Sequence, residues 1–204
     1  GAGFSFGYDG PTHHGHQDLS SMRLLPEMSI IELSSNDLAQ KAVNFAFENN
    51  GPLYIRLDKG PFPEWKEYNI DFSKGYRILK TLEQINLISN GFMARTTLEV
   101  AKRLTSNGIN CGVIDLFRVK PLPDKLYEEI ICKSKKIITI EESCKTGGLG
   151  TCLSEIIAQS ENNCQLQVIG TPDRQFIEYG DRGWFHKKYG LDEIGIFNTI
   201  INNI

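Results

Sequence analysis

The stretch Asp9-Gly10-Pro11-Thr12-His13-His14-Gly15-His16-Gln17-Asp18 decides how the rest of the chain is read. Three of the four histidines of the protein crowd into it. Gly10 and Gly15 allow backbone conformations closed to other residues, and Pro11 fixes one φ angle. The outcome is a constrained loop that presents a carboxylate, a hydroxyl and imidazoles just ahead of a helix. Such a loop can hydrogen-bond a polar small molecule and move protons on it. On these residues alone, a polar surface turn and a zinc site stand beside that possibility. Against zinc, neighbouring His13 and His14 do not readily aim at one ion, and no Cys or distant His pair completes a tetrahedral set.

Outward from the loop, apolar runs bounded by turn residues alternate with stretches of helical period, the pattern of an α/β fold. Asp18 to Leu25 reads as a short helix stopped by Pro26, and Met28 to Leu33 as a buried strand. Ser34-Ser35-Asn36-Asp37 supplies N-cap candidates for a helix from Leu38 to Asn49, with Leu38, Ala42, Phe45 and Ala46 on one face. Asn50-Gly51-Pro52 ends that helix, and Leu53 to Leu57 is the next strand. From Lys59 to Lys74 the chain turns Gly/Pro-rich, then polar and aromatic, which marks the linker between a first unit, residues 1–71, and a second, residues 72–204.

The second unit reads as strands at Ile85 to Ser89, Gly112 to Phe117, Lys136 to Glu141 and Leu166 to Ile169. Helices are expected over Met93 to Asn107, closed by Gly108, over Asp124 to Lys133, from the Gly147-Gly148-Leu149-Gly150 turn to about Ser160, and over Asp192 to Asn202. Strands separated by helices imply right-handed crossovers and a mainly parallel sheet flanked by helices.

Composition removes several classes. The 204 residues carry 22 Lys+Arg against 25 Asp+Glu, a net charge of -3, which is not the electrostatic footprint of a nucleic-acid binder. No apolar run approaches the ~20 residues that span a bilayer, so no membrane association is expected. Residues 1–7 lack the basic and apolar regions of a signal peptide. Five cysteines, odd in number and without a C-x-x-C pair, argue against a disulfide framework and for a reducing cytoplasm. The chain opens inside a glycine-rich loop without Met, so Gly1 is expected to be internal to a longer polypeptide.

Asp9-Gly10-Pro11-Thr12-His13-His14-Gly15, followed by Asp18-Leu19, Met22-Arg23 and Pro26, resembles the pyrimidine-binding domain of the thiamine-diphosphate transketolase superfamily, in particular transketolases and deoxyxylulose phosphate synthases. The resemblance continues through Gly51-Pro52-Leu53-Tyr54-Ile55-Arg56, then Val113-Ile114-Asp115 with Lys120-Pro121-Leu122, then Glu141-Glu142-Ser143 with Gly147-Gly148-Leu149-Gly150. Each motif is weak, but the ordered set, spanning almost the whole chain, is specific. It implies a partial pyrimidine domain in residues 1–71 and a transketolase C-terminal domain in residues 72–204.

The implied activity is transfer of a two-carbon ketol unit, carried by thiamine diphosphate, to an aldose acceptor; the cofactor does the carbanion chemistry and the protein orients and moves protons. The resemblance gives His13 proton transfer and contact with sugar hydroxyls, a role an imidazole suits. It gives Asp9 a hydrogen bond from an acceptor hydroxyl and Arg56 the acceptor's phosphate, although a plain strand-end charge suits Arg56 as well. The family's catalytic glutamate, the stacking aromatic, and the motif that binds magnesium and the diphosphate have no counterpart in these residues. Cofactor and Mg are therefore expected to be bound mainly by parts outside this segment.

Three departures are notable. A second basic residue of the family is replaced by Gly1 or Ala2, which points to a non-phosphorylated or differently shaped acceptor. His14 replaces the usual Gln, and Tyr8 stands where small or acidic residues are usual. A homodimer, or a split-subunit heterotetramer with a separate diphosphate-binding domain, is implied, with sugars or sugar phosphates as substrates and the segment alone inactive. Two alternatives remain: the beta subunit of a 2-oxo-acid dehydrogenase, and a non-catalytic assembly subunit that kept the fold. If the chain is enzymatic, the histidine loop must be one wall of a cleft completed elsewhere.

Trp184, Phe185 and Tyr179 read as core or interface, His186 as packing or surface, the cysteines as small apolar fillers, and the Gly147–Gly150 turn as structural rather than a phosphate cradle.

Overall fold

The computed structural model describes residues 1–59, 62, 64–65, 68 and 70–204; the expected linker over 59–74 thus lies partly outside them. It is an α/β protein built on two sheets. The larger has five strands: β3 (Arg77–Lys80), β4 (Ile85–Ser89), β5 (Gly112–Asp115), β7 (Lys136–Cys144) and β8 (Gln165–Thr171), in the order β3-β5-β4-β7-β8. β5, β4, β7 and β8 run parallel, and β3 closes one edge antiparallel to β5.

Both faces of this sheet are covered, as a parallel sheet requires. Because successive strand residues point to opposite faces, Leu87, Val113 and Ile138 pack against helices α3 (Met93–Ser106) and α7 (Glu193–Ile201). Ile88, Ile114 and Ile137 pack on the other face against α4 (Leu126–Glu129) and α5 (Leu149–Ala158). α3 is a sound helix for a plain reason: Met93, Ala94, Thr97, Val100, Ala101 and Leu104 recur at helical spacing on its buried side, and Gly108, at φ 81°, turns the chain away after it.

The smaller sheet holds β1 (Ser29–Glu32) and β2 (Leu53–Arg56), parallel, with β6 (Arg118–Lys120) antiparallel to β1. β6 comes from the second unit, so the two units share a sheet. Helix α2 (Asn36–Glu48) covers one face through Leu38 and Ala42. α1 (Asp18–Arg23) covers the other through Leu19, beside Cys152 of α5.

Three elements escape the sequence pattern. In β3 a charge takes a place on the buried face, with Arg77 and Leu79 buried and Ile78 44% exposed. β6 has one apolar residue, Val119, and α6 (Arg182–Tyr189) has no apolar period; it starts because the Asp181 carboxylate accepts from Trp184 N at 2.6 Å. The expected helix over 124–133 contracts to α4 plus a 3₁₀ turn at Ile131–Lys133. No side chain caps α2: Ser34 and Ser35, expected as caps, turn to the second unit instead. Among the described residues, no helix is long and apolar enough to cross a membrane.

Those serines belong to a buried charge network that sews the units together. Arg77 donates to Asp115 (2.9 Å), Asp37 (3.1 Å), Ser34 (2.9 Å) and Ser35 (2.8 Å), with its guanidinium 4.7 Å from the centre of the Trp65 ring. Burial raises Asp115 to about 6 against the pull of Arg77, so its charge at neutral pH depends on that cation. Arg77→Met should therefore leave a buried carboxylate without its partner and cost about 3–5 kcal/mol in urea unfolding, with less lost when Asp115→Asn is added. A loss below about 1 kcal/mol would show that the network does not hold the units together.

Candidate functional site

The histidine loop is closed at its base by two backbone bonds between Gly3 and Gly15, each 2.9 Å. Within it, 3₁₀ turns at Gly7–Asp9 and Pro11–His13 flank Gly10, whose φ of 80° and close approach to the Tyr179 ring exclude a side chain. The loop lies across the carboxyl ends of both sheets. Ala2 N donates to Leu57 O just past β2 (3.0 Å), and Cys144 N at the end of β7 donates to His16 O (3.1 Å). In parallel α/β sheets this is the edge where ligands bind.

Asp9 and His13 are exposed at the tip of this loop, and the Thr12 hydroxyl lies 3.0 Å from His13 Nδ1. Arg56, where the resemblance implies a phosphate holder, is 3% exposed. Its Nε donates to Asp18 (2.8 Å), Nη1 to Glu32 (2.5 Å) and Nη2 to the Gly15 carbonyl (2.5 Å). Glu32 also accepts from Asn90 at the end of β4 (2.7 Å). Burial alone would lower the Arg56 pKa, but Glu32 and Asp18 together raise it, so the guanidinium stays charged. Burial lifts Glu32 to about 7 despite that cation. Arg56 is thus a rivet through the base of the loop, with its donors turned inward.

An exposed cation that faces the loop is Lys59, three positions on. Its ammonium stands 4.4 Å above the Phe6 ring, itself 6.4 Å from the His13 ring. The resemblance, which points to Arg56, does not single out Lys59.

The second unit braces the loop from below. Glu142 of β7 pairs with His186 and, at 2.9 Å, with Arg182 of α6. Burial alone would raise Glu142, but the bond from His186 and the charge of Arg182 hold it below the ordinary range. His186, expected as packing or surface, is 5% exposed and part of this cluster. A charge in an apolar strand needs a buried partner, so the acids within the apolar runs at Ile30-Ile31-Glu32-Leu33 and Ile138-Thr139-Ile140-Glu141-Glu142 were signals for such networks.

Phe4, Phe176 and Phe185, all 2% exposed or less, form an aromatic box around His16 and His14. Phe185 is therefore core, whereas Trp184 and Tyr179 are 43% and 67% exposed. His16 is 1% exposed. Burial chiefly lowers its pKa, to about 4, with Glu142 opposing. The three loop imidazoles do not converge: the His14 and His16 rings lie 6.0 Å apart, and His13 stands with Thr12 and Phe6. Among the described residues, no group of three or more His, Cys, Asp and Glu could hold a metal ion.

The Gly147–Gly150 turn offers no phosphate cradle, because the Glu141 carboxylate accepts from Leu149 N (2.7 Å) and Gly150 N (2.9 Å). A cleft of about 670 Å³ between Gln84, Lys133, Lys136 and Gln165 opens at the amino ends of β4, β7 and β8, remote from the loop.

An α/β protein with a histidine loop bridging the carboxyl edges of two sheets belongs to the broad class whose ligands bind at that edge. Comparison with known proteins narrows it. Residues 1–64 match the family model of the transketolase pyrimidine binding domain, and residues 75–196 that of the transketolase C-terminal domain. The chain belongs to the transketolase family.

Among curated relatives, a 1-deoxy-D-xylulose-5-phosphate synthase of Cytophaga hutchinsonii is 30% identical over 208 residues, covering 98% of this chain and 32% of the relative. Another synthase of the same name, from Chlorobium luteolum, is 33% identical over 93% of the chain and 30% of its own length. The chain thus spans about a third of the length of these curated relatives. Among solved structures, a split-gene transketolase described as an inactive beta4 tetramer superposes with a TM-score of 0.82 at 28% identity, covering 94% of this chain and 62% of that one. The transketolase of Campylobacter jejuni shares the fold, with a TM-score of 0.77 at 22% identity over 99% of this chain and 30% of that one.

His16 sets a pH signature. A histidine whose folded pKa is lowered binds fewer protons than in the unfolded chain, so stability falls as pH drops from about 6.5 towards about 4. The loss attributable to His16 should reach about 3 kcal/mol. The stability lost between about pH 6.5 and about 4 should be smaller in His16→Leu than in the protein by that amount, and equal losses would place His16 in contact with water.

Proposed function

We propose that this chain is the C-terminal section of a thiamine-diphosphate-dependent enzyme that transfers a two-carbon ketol unit to an aldose acceptor. The observation that carries the proposal is the exposed pair Asp9 and His13, on a loop riveted by Arg56 and seated on the carboxyl ends of both sheets. A group that must meet a substrate has to face outward, while its backbone must not move; this loop combines the two.

His13 would hold and pass a proton at the acceptor's reacting carbonyl and hydroxyls. Asp9, acceptor-only when ionised, would take a hydrogen bond from an acceptor hydroxyl and so disfavour substrates lacking it. The resemblance gives Arg56 the acceptor's phosphate; its buried contacts favour a structural role, and Lys59 the anionic end of the acceptor. The relatives' names, which denote synthesis of a sugar phosphate, agree with a cation at that place. Bound thiamine diphosphate supplies the centre that stabilises the transferred fragment's carbanion. As the resemblance implies, diphosphate and Mg would be held mainly by protein outside this segment, in a homodimer or a split-subunit heterotetramer in the cytoplasm; within it, Glu141 already occupies the glycine turn.

The 2-oxo-acid dehydrogenase alternative has no support among these relatives, which are synthases and transketolases. The inactive tetramer of the split-gene transketolase supports the view that a C-terminal section needs its diphosphate-binding partner. The test is a ketol-transfer assay on the complete enzyme. His13→Ala should lower kcat/KM by about 10²–10⁴ and leave the melting temperature unchanged, whereas an unchanged kcat/KM removes His13 from the reaction.

A further inference from the structure

The link between the second unit and Lys59 runs through one side chain. Arg182, the first residue of α6, sits between two buried acids. Its Nη2 is 2.5 Å from Asp58 Oδ2, its Nε is 2.9 Å from Glu142 Oε1, and its Nη2 donates to the Ala2 carbonyl at 3.2 Å. The guanidinium carbon lies 3.9 Å from the centre of the Phe92 ring, which fixes its plane. The side chains of Asp58 and Glu142 are 2% and 4% exposed. Asp58 in turn accepts from the backbone N–H of Lys59 at 2.6 Å.

Three anchors thus meet on Arg182: the start of the histidine loop at Ala2, the residue before Lys59, and the sheet edge at Glu142. The electrostatics make this a constraint and not a mere contact. Asp58 and Glu142 repel each other, and burial raises the pKa of Asp58 against the pull of Arg182. Without the cation the cheapest relief is for Asp58 to swing to water, and Lys59 is attached to it. Loss of the Ala2 bond would loosen the start of the histidine loop, but the Gly3–Gly15 bonds and the Arg56 rivet remain, so His13 would move less than Lys59.

The geometry points to Arg182 as a positioning residue that sets where Lys59 stands relative to His13, and so how tightly the site takes a phosphorylated acceptor. This rests on the ketol-transfer function and on the role of Lys59 proposed above. The forked guanidinium is needed because a lysine ammonium cannot reach an acid on either side and a carbonyl with fixed geometry.

The experiment is a double-mutant cycle in the complete, cofactor-loaded enzyme, using an aldose phosphate and the unphosphorylated aldose of the same length. Lys59→Met and Arg182→Met should each raise KM for the phosphorylated acceptor by about tenfold, with kcat and the KM of the unphosphorylated sugar within about twofold. Because Arg182 acts through Lys59, adding Arg182→Met to Lys59→Met should add less than about twofold. Arg182→Lys should give a smaller rise, about threefold, with the same selectivity; where Arg182→Met does not fold, judged by its melting curve, this variant decides. The inference is overturned if Lys59→Met raises KM and the Arg182 variant does not, if both acceptors suffer alike, or if the effects multiply in full. An unchanged KM in Lys59→Met instead overturns the phosphate role of Lys59, and with it the premise.

Discussion

The fold depends on buried charges that neutralise one another at the seam between two units. A buried ion is costly unless a partner in good geometry meets it. Here Glu32, Asp115 and Glu142 are each placed in or beside an apolar strand, and each is met by an arginine from another segment. Arg56 joins loop, α1 and β1, and through Glu32 reaches Asn90 at the end of β4. Arg77 joins β3 to the turn before α2. Because Arg77 also reaches Asp37 and Arg182 also reaches Asp58 across the seam, the two units are held in one mutual arrangement, and the loop above them inherits it.

This explains how a glycine-rich loop can serve as a rigid wall. Gly3, Gly7, Gly10 and Gly15 give it tight curvature and close approach to Glu142, Phe185 and Tyr179, yet by themselves would make it costly to order. The rivets at Gly15 and Ala2, and the box of Phe4, Phe176 and Phe185, offset that cost. Asp9 and His13 are left exposed at the tip. Order is concentrated in the base and solvent access in the tip, as the proposed function requires.

Much of the architecture is legible in sequence. Runs such as Ile85 to Ser89 and Lys136 to Glu141 are strands wherever they are placed, because both faces of a parallel sheet are buried. Periodic stretches such as Met93 to Ser106 are helices for the matching reason. The strand Arg77–Lys80 and the short strand Arg118–Lys120 are not legible, since one buries its charge and the other has a single apolar residue. The roles of the cations are not legible either. Arg56 and Lys59 differ by three positions in a strand end, and only the packing shows one with its donors spent on Asp18, Glu32 and Gly15 and the other beside Phe6.

The sequence by itself determined the α/β class, the order of most elements and the loop that carries Asp9 and His13, because each follows from local spacing along the chain, and its motifs resemble those of the family. The tertiary structure decided that the second unit lends a strand to the first, that His186 and Arg182 are buried partners of Glu142, and that Lys59 stands at the loop. Those facts rest on which charges meet far apart in the chain, 24 residues for Arg56 and Glu32 and 44 for His186 and Glu142, and no periodicity along a chain encodes which of several arginines a buried carboxylate will find.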